Sequence, residues 1–285
     1  MINSLLSHAT GSFVVADSAV GVSRQVRVHY ARPSSEIRRA AITVALHGVD
    51  RAAAAFRDVM AARAERNGQL IFVPEFDLQQ FPDVHAYNFG GVRAPPPDNS
   101  VRAREQWTFG IVDRLFTYLR TSIGTEQTAF SLFGLSAGAQ FVLRYMALSE
   151  APLVERAIAA NSGIYMLPDM GLDYPTGIGG IGLGEAALRR YLARPLTILI
   201  GENDADPDAF DLPRGEIAQA QGPHRLARAQ WHMAHCGDLA RSLGVELGWR
   251  YEIVPGAGHV SQAMFDRALD LLADSGGLQT ESRPP

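Results

Sequence analysis

The stretch FSLFGLSAGAQFVLRYM, Phe130–Met146, sets one serine among small and apolar neighbours where two periodicities meet. Ala129 to Phe133 is a short run of aromatic and apolar side chains that suits a buried strand. Beyond it Ala139, Val142, Leu143, Met146 and Ala147 recur at the spacing of a helix with one apolar face. Gly134-Leu135-Ser136-Ala137-Gly138 joins the two, a G-x-S-x-G string in the strand-turn-helix context that gives it meaning. Such a turn needs an uncommon backbone conformation at the serine, and the two glycines remove side chains that would collide with the strand or the helix start. Ser136 is thereby lifted out at the carboxyl end of the strand as the candidate nucleophile. The amide of Ala137 points at whatever the serine attacks and is the first candidate oxyanion donor.

Around this junction, strand-like and helix-like segments alternate, the pattern of a sheet with crossover helices. Strands are expected at Phe13–Val15, Gln25–Tyr30, Ile42–Leu46, Leu70–Val73, Phe130–Phe133, Ala157–Ala160, Leu196–Ile200 and Arg250–Val254. The first two flank ADSAVGVS, read as a hairpin turn, while helices over Ala52–Asn67, Arg102–Ser122 and Arg225–Leu243 join later ones. The expectation is one α/β domain over 1–285, with an antiparallel start, a parallel remainder and helices on its flanks. Two irregular regions interrupt it. Residues 75–100 carry YNFGGVRAPPPDNS, whose prolines exclude helix and suggest a surface loop near function. Residues 164–194, after the sixth strand, read as a lid-like insertion above the carboxyl edge of the sheet. Its Tyr165 and Tyr174 are candidate substrate contacts that would equally serve to pack the insertion on the domain. The tail from 274 to 285 reads as disordered.

A serine hydroxyl is a poor nucleophile at neutral pH, so a base must take its proton. His259, in the small-residue loop PGAGHV after the last strand, is the candidate base. The acid that orients it is sought after the seventh strand, where PLTILIGENDADP supplies Glu202, Asp204, Asp206 and Asp208. Asp204, three residues beyond the glycine that closes the strand, is preferred, with Asp206 its rival. The second oxyanion amide is expected from Val49, after ITVALHG, and His47 reads as a structural residue of that loop.

Composition narrows the alternatives. The 285 residues are 47% hydrophobic and 20% charged, with a net charge of −4 and no basic cluster, which gives no reason to expect nucleic acid or an anionic membrane as partner. Cys236 is the single cysteine, so neither an intrachain disulfide nor a thiolate zinc site is available. The start, MINSLLSHATGSFVV, lacks the basic and continuous apolar segments of a signal peptide, and the expected location is cytoplasmic. Gly177-Ile178-Gly179-Gly180-Ile181-Gly182 fits a dinucleotide-binding string, but it follows Tyr174-Pro175-Thr176 instead of a strand and reads as a turn. His232, His235 and Asp238, three apart on a helix, read as a polar helix face in place of a metal site.

Taken in order, His47-Gly48, the Ser136 elbow, Asp204 and His259 resemble the α/β-hydrolase superfamily over about residues 13 to 273. AANSGIYMLPD, YPTGIGG, GENDADP and QGPHRLARAQ resemble bacterial hydrolases grouped with polyhydroxybutyrate depolymerases and feruloyl-type esterases. The resemblance implies a serine esterase mechanism on Ser136, Asp204 and His259 that needs no cofactor and no metal, acting on a small-molecule or oligomeric ester. An amidase, a peptidase or an acyltransferase would use the same residues, and a non-catalytic binder would share the fold alone.

Overall fold

The computed structural model describes residues 6–19, 21–150 and 152–273; the tail expected to be disordered lies outside them. The strands are β1 (Thr10–Ala19), β2 (Val22–Ala31), β3 (Ala41–Leu46), β4 (Gln69–Pro74), β5 (Phe130–Leu135), β6 (Val154–Ala160), β7 (Leu196–Gly201) and β8 (Trp249–Val254). They form one sheet in the order β1-β2-β4-β3-β5-β6-β7-β8. β2 is antiparallel to both of its neighbours, and β3 to β8 are parallel throughout.

Burial explains which sequence signals were clear. β4 and β5 are buried at every residue and read as continuous apolar runs, as strands covered on both faces do. Edge strand β1 alternates between exposed and partly buried residues, so only Phe13–Val15 stood out and its full ten-residue length did not. The turn before β2 is correspondingly tighter than ADSAVGVS suggested, since pairing continues to Ala19 opposite Val22.

Helices cover both faces: α1 (Ala53–Asn67), α2 (Gly110–Ser122), α3 (Ala137–Leu148), α4 (Glu185–Ala193), α5 (Glu216–Gln221), α6 (Arg225–Ser242) and α7 (Gln262–Ala273). α1 and α7 enclose one core, in which Phe56, Phe133 and Phe265 meet edge to face or stacked. The larger core on the other face takes α3, α6 and the aromatic residues of the 75–100 segment, and α3 is buried at every position. The helix expected over Arg102–Ser122 begins only at Gly110. Ahead of it the backbone bonds to the neighbouring loop, with Thr108 N donating to Gly90 O at 2.8 Å and Thr108 Oγ1 to Ala86 O at 2.8 Å. The insertion after β6 is also shorter than expected: its last third is the crossover helix α4, and the irregular part is 164–184. The glycine string inside it is a packed turn, with Gly177 N bonded to Asp173 O and Gly179 N to Leu172 O. Among the described residues, no helix is long and apolar enough to cross a membrane.

α6 starts at His224, whose Nδ1 accepts from Ala227 N at 3.2 Å, and buries Arg225, Arg228, Ala229, His232, Cys236 and Ala240 along one stripe. His232 is therefore a core residue: its ring stacks on Tyr165 at 4.5 Å, lies 5.5 Å from Trp249, and has the Cys236 thiol near both nitrogens. His235 instead stacks on Trp231 at 5.0 Å, and Asp238 is exposed beside Arg241. Burial pushes the His232 imidazole down from 6.5 to about 3, and the neighbouring His235 adds to the effect. The unfolded chain protonates this ring near pH 6.5 and the folded one resists, so its contribution to stability is complete above pH 6.5 and is lost as pH falls toward 3. At pH 5 the expected loss is about 2 kcal/mol relative to pH 7. Urea melts at the two pH values will show a smaller pH dependence in His232→Phe than in the parent; an equal dependence would remove this account.

Candidate active site

β5 passes directly into α3 through Ser136, which lies at φ 56°, ψ −111°. Such a backbone costs on the order of 1–3 kcal/mol for a residue with a side chain, and it persists only where the surroundings enforce it. Ser136 N donates to Ala160 O at the end of β6, at 2.9 Å. A Cβ on Gly134 would stand 2.2 Å from Gly138 O, and one on Gly138 would stand 2.1 Å from Leu46 O. The elbow closes only because both positions are bare.

Two backbone amides lie on the segments that adjoin the serine. The amide of Ala137 opens α3, where no intrahelical acceptor exists. Leu46, the last residue of β3, pairs with Gly134, and the turn that follows brings Gly48 so close that a Cβ there would be 3.9 Å from Ser136 Cβ. The Val49 amide comes next, on an exposed residue, and has no acceptor among the described residues.

His47 fixes that turn. Its Nε2 accepts from Phe76 N at 3.1 Å, so the hydrogen resides on Nδ1, which lies 3.0 Å from Gly48 O. Tyr87 Oη donates to the His47 carbonyl at 2.7 Å. Burial lowers the His47 imidazole to about 4, against the opposing pull of its bond to Gly48, and keeps the ring neutral. The structural role read for His47 is the one its contacts describe.

Asp204 and His259, the expected acid and base, follow β7 and β8. Asp204 N donates back to Gly201 O at 3.1 Å, and Asp204 O accepts from Leu226 N in the first turn of α6. These bonds place a buried carboxylate against the loop after β8, where His259 Nδ1 is 2.7 Å from Asp204 Oδ2. A carboxylate only accepts, so Nδ1 carries the hydrogen and Nε2 is the ring atom left for chemistry. Asp206 is exposed and accepts from Asp208 N at 2.8 Å; it has no contact with the ring.

Three residues outside the sequence reading complete the arrangement. Arg225, at the start of α6 and 2% exposed, donates to Asp204 Oδ1 at 3.3 Å and to Asp211 Oδ1 at 2.6 Å. Asp211 Oδ2 is 3.7 Å from His259 Nε2. Asn161, fully buried at φ 51°, accepts from Gly201 N at 2.9 Å and donates to His259 O at 2.7 Å, tying β6, β7 and the histidine loop together. A polar residue closing an apolar strand, as Asn161 does in AIAANSG, was a visible signal. Nothing in AFDLPRG singles out Asp211.

The two tyrosines of the insertion are buried. Tyr165 N donates to Gln221 Oε1 at 3.0 Å and its ring is the one stacked on His232. Tyr174 Oη donates to Phe89 O at 2.6 Å. Tyr174 also borders, with His85, Phe89, Arg93, Asn99 and Pro175, a small cleft of about 40 Å³ between the insertion and the 75–100 segment. Among the described residues, no three His, Cys, Asp or Glu side chains gather as a metal site would require.

No protein-family model matches this sequence, and no curated protein does. Solved structures do. Poly(aspartic acid) hydrolase-1 from Sphingomonas sp. KT-1 is 31% identical, with 93% of this chain and 99% of that one covered and a TM-score of 0.88. The poly(3-hydroxybutyrate) depolymerase LpqC from Bordetella parapertussis is 34% identical over 95% of this chain and 92% of its own, with a TM-score of 0.87. An S-formylglutathione hydrolase from Agrobacterium tumefaciens, 14% identical with 93% and 94% covered and a TM-score of 0.59, shares the fold. With this fold and these two relatives, the chain belongs to the α/β-hydrolase superfamily, among its depolymerase-like serine hydrolases.

Proposed function

We propose that the protein is a serine esterase that works through an acyl-enzyme on Ser136. The observation that carries this reading is the 2.7 Å contact between His259 Nδ1 and the buried Asp204, at the sheet edge where Ser136 is held in its strained elbow. His259 Nε2 takes the Ser136 proton as the oxygen attacks the acyl carbon. The amides of Ala137 and Val49 receive the negative charge that develops on the carbonyl oxygen; each such donor is worth about 10²- to 10³-fold in rate. His259 then gives its proton to the leaving alcohol, and a water deprotonated by the same nitrogen releases the acid. Asp204 holds the tautomer and stabilises the imidazolium, while Tyr165 and Tyr174 shape the site through the segment they anchor. No step calls for a cofactor or a metal. The substrate is a small or oligomeric carboxylic ester.

Amide hydrolysis is the second reading, favoured by the 31% identity to a hydrolase named for a polymer of an amino acid. A fluorophosphonate probe followed by mass spectrometry of the labelled peptide tests the nucleophile, and p-nitrophenyl esters against the matching anilides test the bond. We expect labelling at Ser136, loss of it in Ser136→Ala, and esters turned over faster than anilides. A folded protein that takes no label would end the enzymatic reading, and faster anilides would reassign the bond.

The acid is tested separately. Asp204→Asn is expected to lower kcat by about 10³- to 10⁴-fold by favouring the wrong tautomer of His259. Asp206→Asn should stay within about twofold of the parent, as exposed sites away from the reacting groups do. Comparable losses in the two variants would contradict the assignment.

A further inference from the structure

Asp211 stands where the triad has no need of it. It lies on the loop between β7 and α5, with Oδ1 on the buried Arg225 and Oδ2 3.7 Å from His259 Nε2. Nδ1 of the same ring is committed to Asp204, so Nε2 is the one ring atom able to exchange protons with a substrate. A leaving-group atom within hydrogen-bond reach of Nε2, about 3 Å, is therefore within about 7 Å of the Asp211 carboxylate.

Asp204 and Asp211 share the guanidinium of Arg225, while the nearby Arg228 is spent on the carbonyls of Gly222 and Gly163 and pairs with neither carboxylate. Arg225 is on the inner side at 2% exposure, whereas Asp211 is 34% exposed. Burial alone would raise the Asp211 carboxyl, but the hydrogen bond and charge of Arg225, with the charge of His259, together bring it below the usual range, so it is ionised at neutral pH. Asp206 and Asp208, exposed on the same loop, carry the same sign, and Arg214 is 3.8 Å from Asp208.

Resting on the esterase reading above, we propose that Asp211 is a specificity-determining residue that screens the leaving group by charge. The preferred substrate carries a cationic group, such as a protonated or quaternary amine, on its alcohol portion, and an anionic alcohol portion is rejected. A purely electrostatic aid to the His259 imidazolium would change the turnover of all substrates alike. A charge screen changes their ratio.

The test uses three esters of one acyl group whose alcohol portions end in trimethylammonium, in the isosteric neutral tert-butyl group, or in carboxylate. The expected order of kcat/KM is cationic, neutral, anionic, with the outer two differing by roughly 10- to 100-fold at low salt, the size of a partly shielded charge pair at this separation. Added salt should compress that ratio in the parent enzyme, a measurement that needs no variant. In Asp211→Asn the ratio should fall to within about threefold of one, since most of the pair's electrostatic energy is removed. An unchanged ratio in Asp211→Asn, a salt-insensitive ratio in the parent, or preference for the anionic ester would overturn the proposal while the neutral ester still reports an active esterase. Turnover of none of the three would remove the esterase reading itself, and this proposal with it.

Discussion

The backbone contact between Gly138 and the end of β3 is the constraint on which the site depends. The first turn of α3 presses against the carbonyls of Leu46 and His47 so closely that a single methyl group would overlap them. This approach sets the turn that carries Val49 beside the elbow that holds Ser136. The strain at Ser136 is the local cost of that closeness, and the fully buried α3 and β5 hold it in place.

A second set of contacts fixes the histidine. Parallel strands deliver their loops to one edge but do not set the loops relative to each other. Asn161 does this by receiving the amide of Gly201 and holding the carbonyl of His259, while Leu226 at the start of α6 caps the carbonyl of Asp204. Arg225 then fills the space beneath both carboxylates, so the acid is held through its backbone and through both of its oxygens.

What the sequence revealed follows from how local each signal is. Strands buried on both faces and the glycine-flanked serine are written in consecutive residues, and they were read to within a few positions. The length of β1 was not, because half-exposed edge residues carry little apolar contrast. Asp204 and Asp206 were hard to rank by spacing alone. Burial and the bond to Leu226 separate them, and both depend on where α6 packs. Tyr165 and Tyr174 could be read either as wall or as packing residues because an aromatic side chain in an insertion has the same composition whether it faces a ligand or the core, and Tyr174 is buried yet borders a cleft. Arg225, Asp211 and Asn161 act across long stretches of chain that no periodicity links.

The attachments of His47 have a consequence for how such a site diversifies. Through Phe76 N and Tyr87 Oη the long segment that starts at Glu75 is fastened to the very turn that presents Val49, by one amide and one phenol. Remodelling that segment to admit a different molecule therefore also shifts the turn from which the proposed second oxyanion donor is presented. Recognition and speed are mechanically joined here, and a lineage altering one would need compensating change at the ring of His47 to preserve the other.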